Sequence, residues 1–111
     1  MDSRNVHTQQ SSIHALAMLA TNCEQNQETI ASMGGIAPLV AFCSDLLVSP
    51  GVQAQAVLAL SELSRHNRAN QTAIADANAI MPLVALMRNT TSPDVEREVA
   101  GAFWTLSEDH S

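Results

Sequence analysis

The chain has 111 residues, of which 46% are hydrophobic, and 5 Lys and Arg residues against 11 Asp and Glu residues give a formal net charge of −6 at pH 7. This length suits one domain with a packed core. Aromatic side chains are scarce, with two Phe, one Trp and no Tyr. Because a sandwich or barrel uses more aromatic and β-branched surface, a core of Ala, Leu, Ile, Val and Met predicts packed helices.

The same arithmetic excludes several classes of partner and compartment. Every basic residue is an Arg, and these are scattered among more numerous acids, whereas phosphate binding needs clustered Lys and Arg. We therefore expect no nucleic-acid partner. No run approaches the roughly 18 apolar residues of a membrane span, so we expect no membrane insertion. Two cysteines cannot form a disulfide framework and residues 1–5 lack the apolar core of a signal peptide, which predicts an intracellular protein, cytoplasmic or nuclear.

An internal repeat organises the sequence. Shifted by 44 positions, residues 26–43 match residues 70–87 at 9 of 18 positions. Beyond this block the shift drops to 43, because one residue is lost from a connecting loop, where a change of length costs least. The register also runs backwards into the start of the chain. It predicts one array with a partial repeat at 1–21 and full repeats at 22–65 and 66–111.

The chain opens with the last helix of a unit, and each full unit then begins with a short helix. We predict this first helix from Asn26 to Met33 and from Asn70 to Ala77, with each Asn as N-cap. Gly34-Gly35 ends the first copy. In the second copy Asn78-Ala79 does so, since Asn tolerates the left-handed conformation best after Gly.

The second helix of each unit is predicted to begin at Pro38 and at Pro82, because proline is accepted at the first helical position. Both copies are apolar on most sides. We therefore expect this helix to be buried over most of its surface.

The third helix has the clearest start signals. Ser49 and Ser92 are the predicted N-caps, and each is followed by a proline at the first helical position. Apolar residues recur along these helices at spacings of three and four. Small alanines among them let a neighbouring helix approach closely.

Once aligned, the two units resemble armadillo (β-catenin-like) repeats. The resemblance rests on the stretch Asn-Gln-Glu-Thr-Ile-Ala-Ser-Met-Gly-Gly-Ile-Ala-Pro-Leu-Val at 26–40 and on the third-helix pattern Ser-Pro-x-Val-x-x-x-Val-x-x-Ala-Phe-x-x-Leu at 92–106. It implies an all-α, right-handed armadillo superhelix (an α-solenoid) of three-helix repeats, two full units plus a leading third helix. The third helices of such arrays line a concave groove that binds extended or partly helical segments of other proteins. The family has no catalytic chemistry of its own.

Members similar to importin-α bind basic nuclear signals through a Trp-x-x-x-Asn pattern on the third helix, and this chain lacks that pattern. The Trp position is held by His14, Leu58 and Gly101, and the Asn position by Met18, Glu62 and Thr105. Trp104 lies three positions beyond the Trp position. A nuclear-signal adaptor is therefore not expected.

The predicted groove residues recur on the third helices, on the face away from the alanine and leucine seam. Glu62, Glu98 and Asp109 would make this groove mildly acidic and favour a partner segment with basic character. Met18 and Leu58 are apolar on that face, which favours a contact patch over an ordinary solvated helix face. The nine predicted groove residues are Ser11, His14, Met18, Gln55, Leu58, Glu62, Glu98, Gly101 and Thr105.

No residue pattern predicts catalysis, a metal or a cofactor. The four histidines and two cysteines lack metal-ligand spacing. No nucleophile elbow, phosphate-binding glycine loop or zinc-protease helix occurs. We predict a protein that is not an enzyme and has no cofactor.

Three functions remain open at this point. The first is a protein-interaction module that binds an extended segment in the groove. The second is a structural spacer within a longer array, where uncapped repeat ends also allow self-association. The third is the substrate-recognition arm of a larger enzyme such as a ubiquitin ligase, which rests on family analogy alone.

Overall fold

The computed structural model describes residues 3–45 and 47–108, and every regular element in these residues is an α-helix. The helices follow the predicted order, with a leading third helix and then two sets of three. None of the described helices has the length and apolar content that a membrane crossing requires. The helices are α1 (Ser3–Ala20), α2 (Glu24–Ser32), α3 (Ile36–Ser44), α4 (Pro50–Ser64), α5 (Arg68–Asp76), α6 (Ile80–Asn89) and α7 (Pro93–Leu106).

The predicted starts of the third helices are confirmed. The Ser49 hydroxyl oxygen accepts from the backbone N–H of Val52 at 3.2 Å. The Ser92 hydroxyl oxygen accepts from that of Val95 at 3.3 Å, and a proline follows each serine as the first helical residue. Each cap satisfies one backbone donor that the first helical turn leaves unpaired.

The predicted helix stops are also confirmed. Gly34 has φ of 84° and Asn78 has φ of 63°, both in the left-handed region. The backbone N–H of Gly35 reaches back to the Ile30 carbonyl at 3.0 Å, which closes the last turn of α2. Both stops therefore follow the predicted C-terminal capping chemistry.

The predicted N-caps of the first helices are wrong. The helices α2 and α5 begin at Glu24 and Arg68, two residues before Asn26 and Asn70. The N-cap of α5 is Asn67, whose side chain accepts from the backbone N–H of Asn70 at 3.0 Å. Periodicity alone does not separate a cap from a polar residue in the first helical turn.

Asn26 and Asn70 bond to the end of the preceding third helix instead. Their Nδ2 atoms donate to the carbonyls of Leu19 and Leu63, each at 2.8 Å. The last carbonyls of a helix have no partner within that helix, so these amides satisfy groups that would otherwise remain unpaired.

Gln27 adds a link between two third helices. Its Nε2 donates to the Ala20 carbonyl of α1 at 3.1 Å and to the Glu62 carbonyl of α4 at 2.9 Å. Its Oε1 accepts from Nδ2 of Asn67 at 3.0 Å. Gln71 links α4 to α7 in the same way. The repeated Asn-Gln pair is therefore a structural joint between successive units.

The third helices form a row in which α4 lies between α1 and α7 and packs extensively against both. All residues of α4 are buried except Pro50, Gly51, Gln55 and Leu58. The expected close approach through small side chains is confirmed by the buried alanines of this row, Ala17, Ala20, Ala54, Ala56, Ala59 and Ala102.

The second helices depart from expectation in two ways. They begin at Ile36 and Ile80, two residues before their prolines, which the unbonded N–H groups of the first turn also tolerate. The expected burial is found for Ile36, Leu39, Val40 and Cys43 of α3 but not for Ala37 and Ala41, which are exposed. It is wrong for α6, where only Leu83 and Leu86 are buried. The second unit thus leaves much of α6 exposed.

Candidate functional site

The nine predicted groove residues belong to α1, α4 and α7, and we call the solvent-facing side of this row the third-helix surface. The sequence predicts that all nine are exposed. The two buried members, Glu62 and Thr105, contradict it because α4 and α7 pack closely there. Ser11, His14, Met18 and Gly101 are exposed, and Gln55, Leu58 and Glu98 are half-buried.

Thr105 is a helix-packing residue and cannot contact a partner in this structure. Its side chain is 1% exposed. The hydroxyl donates to the Gly101 carbonyl at 3.0 Å and lies 3.2 Å from the Ser61 hydroxyl of α4. The Ser61 hydroxyl packs against it across the α4–α7 contact, so the position expected in the groove lies in the helix interface.

Three predicted residues meet in a polar slot between α1 and α4. Nδ1 of His14 lies 2.8 Å from Oε1 of Gln55, so an Nδ1–H tautomer donates to the amide oxygen. The slot has a volume of about 230 Å³ and is completed by Ser11 and Gln10. Gln10 falls outside the predicted stripe, although it neighbours Ser11. Imidazole, hydroxyl and amide groups together can both donate to and accept from a peptide backbone.

Leu58 and Met18 differ in environment. Leu58 packs partly against the hydrophobic core, whereas the side chain of Met18 is 49% exposed. The apolar contact patch expected from both residues therefore reduces to Met18 and the outer edge of Leu58.

Glu62 carries the least satisfied polar group described on this surface. Its side chain is only 10% exposed, and Oε1 pairs with Nη2 of Arg65 at 3.1 Å. Oε2 is buried and has no hydrogen-bond partner among the described residues. A buried acceptor without a partner is rare, because its lost hydration is not compensated.

Glu98 on α7 lies close enough to this buried carboxylate to be affected by its charge. Burial raises the pKa of the Glu98 carboxyl above its ordinary value, the Arg97 guanidinium opposes this shift, and the negative charges of Asp94 and Glu62 add to it. Glu62 and Glu98 therefore repel each other electrostatically, and we call these two carboxylates, on α4 and α7, the carboxylate pair. Asp109, the third acid expected here, lies outside the described residues.

A second cleft lies where α1 and α4 end, and the sequence stripe does not predict it. It has a volume of about 240 Å³ and contains Arg65. Asn22 and His66, equivalent positions of successive units, have φ of 54° and 55° and turn the chain out of each third helix. Arg65 lies between this cleft and Glu62. The lining residues are Asn22, Cys23, Glu24, Gln27, Arg65 and His66.

Metal ions in proteins are held by groups of ligand side chains such as His, Cys, Asp and Glu. Within residues 3–45 and 47–108, no three His, Cys, Asp or Glu side chains are grouped to hold a metal ion. Cys43 lines an apolar cleft of about 310 Å³ between α3 and α6. Burial raises the pKa of the Cys43 thiol to about 12, so it stays protonated near neutral pH.

Comparison with known proteins identifies the fold. No protein-family model matches the chain, and no curated protein sequence matches it. A designed armadillo repeat protein superimposes with a TM-score of 0.76 at 23% sequence identity, covering 86% of this chain and 39% of the designed one. The chain thus spans less than half the length of that array. Together with the helix order and packing, this similarity shows that the chain has the armadillo-like repeat fold.

Proposed function

We propose that this chain is a non-catalytic protein-interaction module whose third-helix surface holds an extended segment of a partner protein. The observation that carries the proposal is the buried, unpartnered Oε2 of Glu62 beside Glu98. Because Oε2 is buried, the Glu62 side chain must turn outward on binding. An N–H donor of the partner then restores the missing hydrogen bond, and a cation also neutralises the two carboxylates. The donor that suits the pair is therefore the Arg or Lys side chain of a partner.

The polar slot supplies a second contact for the same segment. Gln55 and Glu62 are seven residues apart on α4, which is about 10 Å along the helix axis. An extended chain rises about 3.3 Å per residue, so about three residues connect the slot to the carboxylate pair. A short segment with backbone polar groups at the slot and a basic side chain farther along meets both.

The overall charge supports a basic partner segment. The chain has a formal net charge of −6 and no lysine. Arg65 and Arg97 lie beside the carboxylate pair but leave it undersatisfied, since Arg65 makes a single contact and the pKa of Glu98 remains raised. Such complementarity contributes to partner choice and association rate, and added salt weakens it.

A peptide array tests the proposal. The probes are extended peptides of randomised sequence that carry Arg, Ala or Glu at one fixed central position. We expect the Arg set to bind best, and Glu62→Gln to lower affinity for it about tenfold, because one charge-assisted hydrogen bond is lost. Glu62→Arg is expected to shift the preference towards the Glu set.

Glu28→Gln is the matched control, since it removes the same charge from an exposed position on α2. If Glu28→Gln and Glu62→Gln weaken binding equally, the effect is one of net charge and the carboxylate pair is not the receptor. If no peptide of any set binds, the chain is better described as a spacer of a longer array or as part of a larger enzyme's recognition arm.

A further inference from the structure

The outer side of α6 and α7 forms a second apolar surface, which we call the end face. Positions that are buried in the first unit are exposed here. Ile36 is 7% exposed but its equivalent Ile80 is 42% exposed, and Val40 is 8% exposed against 41% for Val84. The end face consists of Ile80, Val84, Met87, Ala100, Gly101 and Trp104.

The equivalent residues differ in exposure because the two units differ in their neighbouring helices, and not because their sequences differ in composition. In the first unit, α5 and α6 pack on α3 and α7 packs on α4. No helix of the described residues takes the corresponding place on α6 and α7. The end face therefore continues, by repeat equivalence, a helix-packing interface that this chain already forms once. Isolated exposed apolar residues need no explanation, but a contiguous set marks an interaction surface.

Trp104 restricts what can cover the end face. Its equivalent in α4 is Ser61, which is 4% exposed and lies 3.2 Å from the Thr105 hydroxyl. That close approach leaves no room for an indole. Trp104 is 74% exposed and projects where the regular stack requires a small residue. The occupant must therefore offer a gap opposite the indole.

The chain itself offers such a gap one turn away. A Cβ atom added at Gly101 would meet nothing within 4 Å, and Ala100 beside it is exposed. A large projection and a small notch on the same helix are self-complementary under two-fold symmetry, in which each copy gives and receives the same contact. Packing of a large side chain into a hole on the facing helix is the usual way in which helices interlock.

We propose that the end face pairs with the end face of a second copy of this chain about a two-fold axis. The Trp104 indole of each copy rests over Gly101 and Ala100 of the other. A head-to-tail arrangement that places α1 of another copy on α7 is a poorer fit, because it supplies no helix to cover Ile80, Val84 and Met87 of α6. The two-fold arrangement covers both helices at once.

The size and charge of the face set the strength of this association. The helix α7 is about 21 Å long and two adjacent helices are about 20 Å wide, so the flat footprint is roughly 400 Å² per copy. The two copies together bury about 800 Å², less than a stable specific interface does, which predicts a weak and reversible dimer. Each copy carries a net charge of −6, so added salt is expected to strengthen the dimer by screening repulsion.

Sedimentation velocity of the full chain, from low micromolar to near-millimolar concentration, tests the pairing. We expect the weight-average mass to rise from monomer towards dimer with concentration. Trp104 is the only Trp and the chain has no Tyr, so its fluorescence reports this surface alone. Its emission should shift to shorter wavelength, and acrylamide should quench it less, over the same concentration range.

Two variants test the contact from both sides. Trp104→Ser removes the projection, and Gly101→Leu fills the notch with the residue that α4 carries at the equivalent position. Each is expected to weaken dimerisation at least about tenfold. Gly101→Leu also improves helix propensity at an open position, so it should remain folded by circular dichroism.

Leu47→Ser is the matched control, because Leu47 is 85% exposed but lies outside the end face. It should dimerise like the unmodified chain. A chain that stays monomeric at every concentration, with unchanged indole emission, overturns the proposal and assigns the face to another occupant. Dimerisation of Gly101→Leu at the unmodified strength equally refutes the indole-in-notch contact.

Discussion

The most informative single substitution is Gln27→Ala, because this buried side chain joins two third helices. Gln27 is 3% exposed. Its amide donates to the Glu62 carbonyl at 2.9 Å and to the Ala20 carbonyl at 3.1 Å, and its oxygen accepts from Asn67 at 3.0 Å. The Ala20 carbonyl also accepts from the backbone N–H of Cys23, so it keeps a partner after truncation.

Two buried groups then lose the bonds that Gln27 makes, the Glu62 carbonyl and the Asn67 amide, and the part-buried Arg65 carbonyl loses a bond at 3.3 Å. A buried polar group without a partner costs about 1 to 3 kcal/mol, so we expect Gln27→Ala to lower the free energy of unfolding by about 3 kcal/mol. For a chain of this size that is a large share of a total of about 5 to 15 kcal/mol. It corresponds to a drop in Tm of about 12 °C.

Urea unfolding followed by far-ultraviolet circular dichroism measures this difference. Gln71→Ala is the demanding comparison, because Gln71 is the repeat equivalent but its two acceptors, the Ser64 and Thr105 carbonyls, each keep a backbone partner. We expect Gln71→Ala to cost only about 1 kcal/mol. Gln25→Ala, at an exposed position, should fall within about 0.5 kcal/mol of the unmodified chain. Equal losses for the Gln27 and Gln71 variants would refute the reasoning.

Four further outcomes follow from the structure. Ser92→Ala removes the N-cap of α7 and should lower the free energy of unfolding by about 1 kcal/mol in the same urea assay. Gly34→Ala should lower the free energy of unfolding by about 1 kcal/mol, because at φ of 84° an alanine is strained even though no atom lies within 4 Å of the added methyl group. An unchanged free energy of unfolding contradicts this strain. In the folded chain an alkylating reagent near neutral pH should modify Cys23 and spare Cys43, since burial raises the pKa of the Cys43 thiol to about 12. Labelling is read by mass spectrometry, and equal labelling of the two cysteines disproves the protection of Cys43. Burial raises the pKa of Glu98 in the folded chain, so the stability that this group contributes is present below the unfolded pKa of glutamate and is lost as pH rises through the folded pKa. The Glu98→Gln variant should therefore gain stability relative to the unmodified chain as pH rises from about 3 to about 7. A difference in urea midpoint that stays constant over this range rules the prediction out.

Local sequence chemistry predicts the parts of this fold that depend on a few neighbouring residues. The serine caps, the left-handed stops at Gly34 and Asn78, and the close approach through alanines are all found where the sequence indicates them. The N-caps predicted at Asn26 and Asn70 are wrong because Asn is common at N-caps, whereas here each side chain donates to a carbonyl of the preceding helix, seven residues earlier.

The exposure of side chains on the third-helix surface depends on packing between residues that are distant in sequence. The hydrophobic pattern of a single helix does not predict that packing. Glu62 and Thr105 lie on the polar stripe of their helices, yet both are buried because α4 and α7 approach closely through small residues such as Ser61. Because α4 is flanked on both sides, only Gln55 and Leu58 remain partly accessible to solvent beyond its first turn. The prediction that α6 is buried fails for the same reason, since its apolar residues are covered only where another helix is adjacent.

The position of Gln27 also determines how the chain unfolds. Its amide reaches the ends of α1 and α4 only while both helices are formed. Nearest-neighbour coupling of this kind decides whether a repeat array melts unit by unit or in a single transition. Fraying of either helix breaks a buried bond in the adjoining unit, so local opening carries a penalty beyond its own segment. The joint thus confers cooperativity on an array in which each unit otherwise contacts only its neighbours.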